Sequence, residues 1–295
     1  MNTRFACVLS CLLLQIASPA AEKRHPVRLS HAEKPGDRSE TVTTARVDNA
    51  LTLSVQDRVF RENKSVEIWR LHATEVIDAV ANNREAKAKT LTVIELTKTA
   101  EEKTAAVLPK GAVVRAAIRD GKEVFTIGDS PAPPDTAKML ERLISLSDDN
   151  RPTDDQLYGT KKPRRVGDTW PINAAKAAEA MRTPDLSVAP RGITGTAALK
   201  AVRQEGGRDF LDIEVTMKTR NMTVAFIPTF RVVKAESQTR FSGLFPADSK
   251  GGRIKDGMET TFVVVGKGRR SPQEPEVTAE ARTTVKLTRT IKYLD

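Results

Sequence analysis

Cysteine is confined to the start of this chain: its two cysteines, Cys7 and Cys11, both fall within the first 20 residues. The rest therefore has no disulfide framework, no C-x-x-C redox pair and no thiol nucleophile, and must be held together by an ordinary core. Histidine is nearly as scarce. Of the three, His25 and His31 lie near the start and only His72 lies in the body, so the Cys/His sets that zinc prefers are missing. Absent too are the G-x-S-x-G elbow, H-E-x-x-H, G-x-G-x-x-G and the P-loop. His72, within Trp69–Glu75, has no nucleophile or substrate group named beside it and reads as an ordinary strand histidine. The expectation is a chain with no cofactor, no metal and no catalytic residues. After residue 20 no apolar run is long enough to cross a membrane.

What is present begins with three zones. Arg4 supplies a positive start, Phe5 to Ile16 is an uncharged apolar run, and Ser18-Pro19-Ala20 offers small residues for cleavage. This is the pattern of a signal peptide over residues 1–20, cut before Ala21, and it predicts a periplasmic or extracellular protein. Val8-Leu9-Ser10-Cys11 loosely matches a lipobox, but Leu12-Leu13-Leu14 follows the cysteine, whereas a lipobox follows its apolar run. A soluble rather than lipid-anchored product is expected.

Lys and Arg number 48 against 38 Asp and Glu, and losing Arg4 leaves 47 against 38. Two clusters stand out: Lys161, Lys162, Arg164 and Arg165, and Lys267, Arg269 and Arg270. They are candidates for holding anionic lipid headgroups or envelope polymers; solvated loop charge is the plainer alternative. Nucleic acid is not expected as a partner, because export removes the usual targets and no aromatic residues are interleaved for base stacking.

Residues 21–38 are polar, with Pro26 and Pro35, and read as a flexible leader. From 39 to 130 the pattern is β-like. Leu51, Leu53, Val55 and Val59 fall on one face of an alternating segment. Strands are expected at Ser65–Val80, Leu91–Thr99, Ala112–Ile118 and Glu123–Ile127, the last two joined by the Asp120-Gly121 turn. Residues 131–190 hold the helical signals: a 3.6-period stripe at Met139, Leu140, Leu143, Ile144 and Leu146, a capping box at Thr153–Gln156 ending at Gly159, and an alanine-rich helix at Ala174–Met181. From 191 to 295 alternation resumes. Thr196–Arg203 turns at Gly206-Gly207 into Phe210–Met217, followed by Arg231–Phe241 and Thr260–Val265. The last segment keeps its parity from Val277 to Tyr293, a length of about 56 Å at roughly 3.3 Å per residue. That length suits a strongly curved sheet, or one crossing two packed subdomains, with a bulge, and it puts Arg289 on the apolar parity, where it needs a partner or a cavity. The fold class predicted is α+β and mostly antiparallel: a large curved meander sheet, half-barrel-like or in two packed subdomains, with a small helical insert.

Two side-chain groups remain. Asp148-Asp149-Asn150 and Asp154-Asp155 present oxygens that could suit calcium, but their spacing is not that of an EF-hand and the capping box accounts for the second pair. Of the eight phenylalanines beyond the signal segment, four lie close together: Phe226, Phe230, Phe241 and Phe245. In a curved sheet they could line a cleft for an apolar ligand; otherwise they fill a core.

Pro163-Arg164-Arg165-Val166-Gly167-Asp168-Thr169-Trp170 resembles the P-x-x-V-G-D-x-W element of exported β-rich bacterial proteins of unknown function. The resemblance implies an envelope-associated β domain with Gly167-Asp168 making a turn and Trp170 anchoring a core. The wider pattern is similar to periplasmic lipoprotein carriers at the level of fold, with no carrier motif matched. The expectation is a non-enzymatic envelope protein that binds an amphipathic small molecule, another envelope component or a protein partner on its sheet. The alternative is an assembly factor that contacts anionic polymers through basic loops, with an enzyme third.

Overall fold

A computed structural model of the protein describes residues 23–225, 229–248, 251–269 and 273–294. The segment expected to be a signal peptide, with its expected cleavage site and Cys11, as well as Phe226 and Arg270, lies outside them. The first meander comprises β1 (Arg38–Val55), β2 (Arg58–Val80), β3 (Ala86–Ala100), β4 (Lys103–Leu108), β5 (Val113–Arg119), β6 (Lys122–Ile127) and the short β7 (Ser130–Pro131). The insert carries α1 (Pro134–Leu143), α2 (Asp154–Tyr158), β8 (Thr169–Pro171), α3 (Ala174–Ala180) and β9 (Leu186–Ser187). The second meander comprises β10 (Ile193–Glu205), β11 (Arg208–Arg220), β12 (Thr223–Val224), β13 (Phe230–Pro246), β14 (Lys255–Gly268) and β15 (Val277–Leu294).

All but β9 and β12 join one open, curved antiparallel sheet of 13 strands in the order β7-β6-β5-β3-β2-β1-β15-β14-β13-β11-β10-β8, with β4 paired to β3. The predicted α+β class with a small helical insert is what is observed. The long final strand is real. β15 pairs with β1 on one side and β14 on the other without a register shift, so the expected bulge is absent.

Hairpin turns set the registers. Asp120-Gly121 and Gly206-Gly207 all have positive φ, as two-residue turns of this hand require. Two further hairpins turn at Gln56-Asp57 and Glu101-Glu102, again with positive φ but without glycine. The first of these corrects a sequence expectation. Val59 lies across the turn from Leu51–Val55, pairs with Ser54, and is 60% exposed rather than sharing their face.

Paired residues of an antiparallel sheet share a face, so the registers define transverse rows. One inner-face row runs Trp69–Ala45–Leu287–Met258–Phe241–Val215–Ala197–Trp170, with a tryptophan at each end. Each tryptophan belongs to a separate core. Trp69 packs with Leu71, Leu91, Leu96, Val114 and Phe125 under Met139, Leu140 and Leu143 of α1. Trp170 packs with Leu199, Leu211, Ile213 and Phe245 under Leu157 of α2 and Ala177 and Ala178 of α3. Trp170 also donates from Nε1 to the Tyr158 carbonyl at 2.7 Å, and Gly167 has φ +89° in the turn before it. The α2 capping box forms as predicted, and Gly159 ends the helix because a Cβ there would meet the Asp155 carbonyl.

The leader does not behave as a free segment. His25, Val27 and Leu29 alternate inward and are buried; Val27 and Leu29 enter the Trp170 core, and His25 bridges Arg164 through backbone hydrogen bonds. Asp155 accepts from the Leu29 and Ser30 amides and so ties the leader to α2.

Candidate functional site

The helices cover the two flanks of the inner face and leave its middle open at one end. Here the rows are Asn63–Leu51–Ala281–Val264–Ala235, Arg61–Leu53–Ala279–Gly266–Val232 and, at the edge, Val55–Val277–Gly268–Phe230. Leu51, Leu53 and Val55 of β1, Phe262 and Val264 of β14, and Ala281, Val285 and Leu287 of β15 are all half-buried, and Met258 is 38% exposed. Ala279 and Gly266 form a floor of small residues between them. A hollow of about 400 Å³ opens over Asn49, Leu51, Asn63, Ser65, Ala281 and Thr283, within the size range of small-molecule sites. Its lining is mixed, with Ala50, Leu51 and Ala281 apolar and the asparagine amides, the Ser65 and Thr283 hydroxyls and Lys64 around them. The same strands turn Arg46, Thr284, Lys286 and Thr288 to the other face, together with Val263 and Val265 of β14.

A second, more enclosed cavity of about 80 Å³ lies at the opposite end, under the leader. It holds a few water-sized volumes at most. Its walls are charged and satisfied. Glu75 takes Lys89 at 3.1 Å and the Thr41 hydroxyl. Burial pushes the Glu75 carboxyl up, but Lys89 and the Thr41 hydrogen bond outweigh it and hold the group below the ordinary carboxylate range. Arg289 donates twice to Oδ2 of Asp256, at 3.1 and 2.7 Å, which supplies the partner its parity demanded. Arg253 reaches the same oxygen at 3.1 Å and Asp154 at 2.8 Å. Burial raises the Glu85 carboxyl, with Asp154 adding to it. Burial, then Glu33, pushes Tyr293 up to about 12. With Lys89, Arg253 and Arg289 already matched to carboxylates, this network braces the leader and insert against the sheet.

The sequence-predicted residues do not converge on one site. Phe245 is 1% exposed and fills the Trp170 core rather than lining a cleft. Phe241 is half-buried in the middle row, its ring 6.1 Å from Tyr158 and 6.2 Å from Phe245. Phe230 sits at the open edge beside Gly268. Of the basic clusters, Lys161 and Lys162 are exposed, whereas Arg164 and Arg165 are half-buried. The Arg164 guanidinium lies over the Trp170 ring at 5.2 Å and donates to the Thr160 hydroxyl at 3.2 Å. Lys267 and Arg269 are exposed at the far end of β14. His72 sits on β2 and meets Glu40 at 2.7 Å on the outer face. The acidic stretch is spent on structure: Asp148 accepts from the Asn150 amide, Asp149 from the Asn82 amide and Lys87, and Asp154 pairs with Arg253.

No family model matches the chain, and no curated protein matches it. Among solved structures it is similar to lipovitellin, a structure described for its lipid–protein interactions, at 10% identity and a TM-score of 0.35 over 89% of this chain. The chain spans 26% of the lipovitellin chain. It is also similar to a LolA-superfamily protein from Nitrosomonas europaea, at 10% identity and a TM-score of 0.17 over 90% of this chain and 89% of that one. A third is the outer membrane protein OprG from Pseudomonas aeruginosa, at 5% identity and a TM-score of 0.16 over 89% and 99%. Superpositions this loose do not bear on what the chain binds.

Proposed function

We propose that the protein is an exported, non-enzymatic binding protein that takes an apolar or amphipathic ligand into the open part of its inner face. One observation carries the reading: half-buried Leu51, Leu53, Val55 and Ala281 lie on the core-facing side of the sheet and, among the described residues, belong to neither of the helix-covered cores. Large apolar surface left open on a folded protein marks an interaction site. The hollow beside it is of ligand size and rimmed by hydroxyl and amide groups, which suit the polar end of an amphipathic molecule. The signal-peptide pattern supports export.

The test is native-state binding of an environment-sensitive apolar dye, followed by displacement with long-chain fatty acids. Leu51→Lys and Ala281→Lys place an ammonium in the strip and should abolish dye uptake while leaving the unfolding midpoint close to that of the parent. A parent protein that takes up no dye, or lysine variants that bind it as well as the parent, would refute the groove.

A further inference from the structure

We infer that the open end of the inner face is also a docking rim for an anionic lipid bilayer. Four strands end on the row Val55–Val277–Gly268–Phe230, so their tips form one edge at the mouth of the groove. The β1–β2 hairpin reaches this edge, and every residue of its β2 arm from Arg58 to Val66 is exposed. The register skips Phe60, since Val59 pairs with Ser54 and Arg61 with Leu53. The bulge turns an aromatic ring out beside Val59, leaving the two 59% and 60% exposed. A second bulge on β13 does the same for Val233, which lies between the paired Val232 and Lys234 and is 45% exposed. Bulges that push apolar side chains into water weaken the fold's own packing, so their presence asks for an apolar phase outside it.

Cations flank those side chains. The outer row beside Val59 runs Val59–Ser54–Thr278–Lys267–Arg231, and Arg58, Arg61 and Arg269 sit at the same edge. Among the described residues Arg58, Arg61, Arg231 and Arg269 form no ion pair, whereas Lys64 is matched by Glu62 and Lys267 by Glu276. The unmatched acids of the edge are Asp57 and Glu274, so the balance there is positive. An aromatic tip set among arginines fits the boundary of a bilayer: the ring and valines enter the acyl margin, and the guanidiniums meet lipid phosphates. This goes beyond the groove reading and sets the groove's mouth against the phase that would supply or receive an apolar ligand.

The test is co-sedimentation with vesicles of phosphatidylcholine alone or mixed with phosphatidylglycerol, at low and high salt. The mature protein, beginning at Ala21, should bind the mixed vesicles at low salt, lose them at high salt, and ignore neutral ones. Arg58→Glu with Arg61→Glu should weaken partitioning by roughly 25-fold or more, from the near-surface attraction of each cation. Phe60→Ser should weaken it about tenfold. Lys161→Glu with Lys162→Glu, on the other basic loop, should change nothing. All these side chains are exposed, so an unchanged unfolding midpoint certifies each variant. Failure to sediment with the mixed vesicles at low salt overturns the proposal, as does an equal loss from the Lys161/Lys162 pair. Leu51→Lys, which blocks the groove, should still sediment, so the two readings fail separately.

Discussion

Asp256 offers the sharpest check on how the leader and insert are braced against the sheet. Its Oδ2 receives Arg289 at 2.7 Å and Arg253 at 3.1 Å, and its side chain is 3% exposed against 13% for Arg289 and 25% for Arg253. Asp256→Ala leaves Arg289 facing the inner sheet without a carboxylate, and a buried charge stripped of its partner costs about 3–5 kcal/mol. Arg289→Met is milder, roughly 1–3 kcal/mol, because Asp256 keeps Arg253. Removing both members as Asp256→Leu with Arg289→Met trades the pair for apolar volume. Arg253 retains Asp154 at 2.8 Å, so the double variant should lie within about 1 kcal/mol of the parent. Urea unfolding followed by tryptophan fluorescence reads this well, since Trp69 and Trp170 report one core each. The m-value must stay constant for the comparison to hold. An Asp256→Ala loss below about 1 kcal/mol, or a double variant that loses as much as Asp256→Ala alone, would show that the network is solvated and braces nothing.

Two other expectations concern the flanks. Trp170→Ala removes a 3%-exposed ring together with its hydrogen bond to Tyr158 and its Arg164 contact, and should cost about 3–5 kcal/mol in the same titration; a surface-sized loss would deny Trp170 its anchoring role. Burial, then the nearby Glu141, raises the Glu123 carboxyl from 4.5 to about 7. A carboxyl whose folded value is raised favours the fold most below its unfolded value and loses that contribution as pH climbs through the folded one. Solvent access reduces the effect to roughly 1–2 kcal/mol. Glu123→Gln should therefore raise the thermal midpoint at pH values above 7 relative to the parent and lose this advantage at pH values below 4.5; an advantage that does not vary with pH would contradict the assignment.

Local chemistry made much of the architecture readable. The Asp120-Gly121 and Gly206-Gly207 turns, the α2 capping box and the unbroken parity of β15 each rest on a short-range rule that tertiary contacts did not override. The hairpins at Gln56-Asp57 and Glu101-Glu102 were hidden because positive φ is normally advertised by glycine or asparagine, and neither is there. That silence is why Val59 was assigned to the wrong face. His25, Val27 and Leu29 do alternate, but three positions among prolines and charges are too few to outweigh a polar composition. The groove was not legible at all. Leu51 and Leu53 alternate in the same manner as Leu71 and Ala73, and period two records which face a side chain takes, not whether α1 arrives to cover it.

The place of β15 has a consequence for how the molecule is put together. It follows every other strand in the chain, yet it lies in the middle of the sheet, with Arg38 opposite Leu294 and Val55 opposite Val277. Without it the sheet would fall into two parts, each with its own core and helical lid, and each ending in an unpaired edge, β1 in one and β14 in the other. Its pairing with β1 joins distant parts of the chain, the kind of contact that slows folding. A chain that loses this strand would present two long edges to another copy. The strand that completes the groove is thus also the one that keeps the β1 and β14 edges from a neighbour.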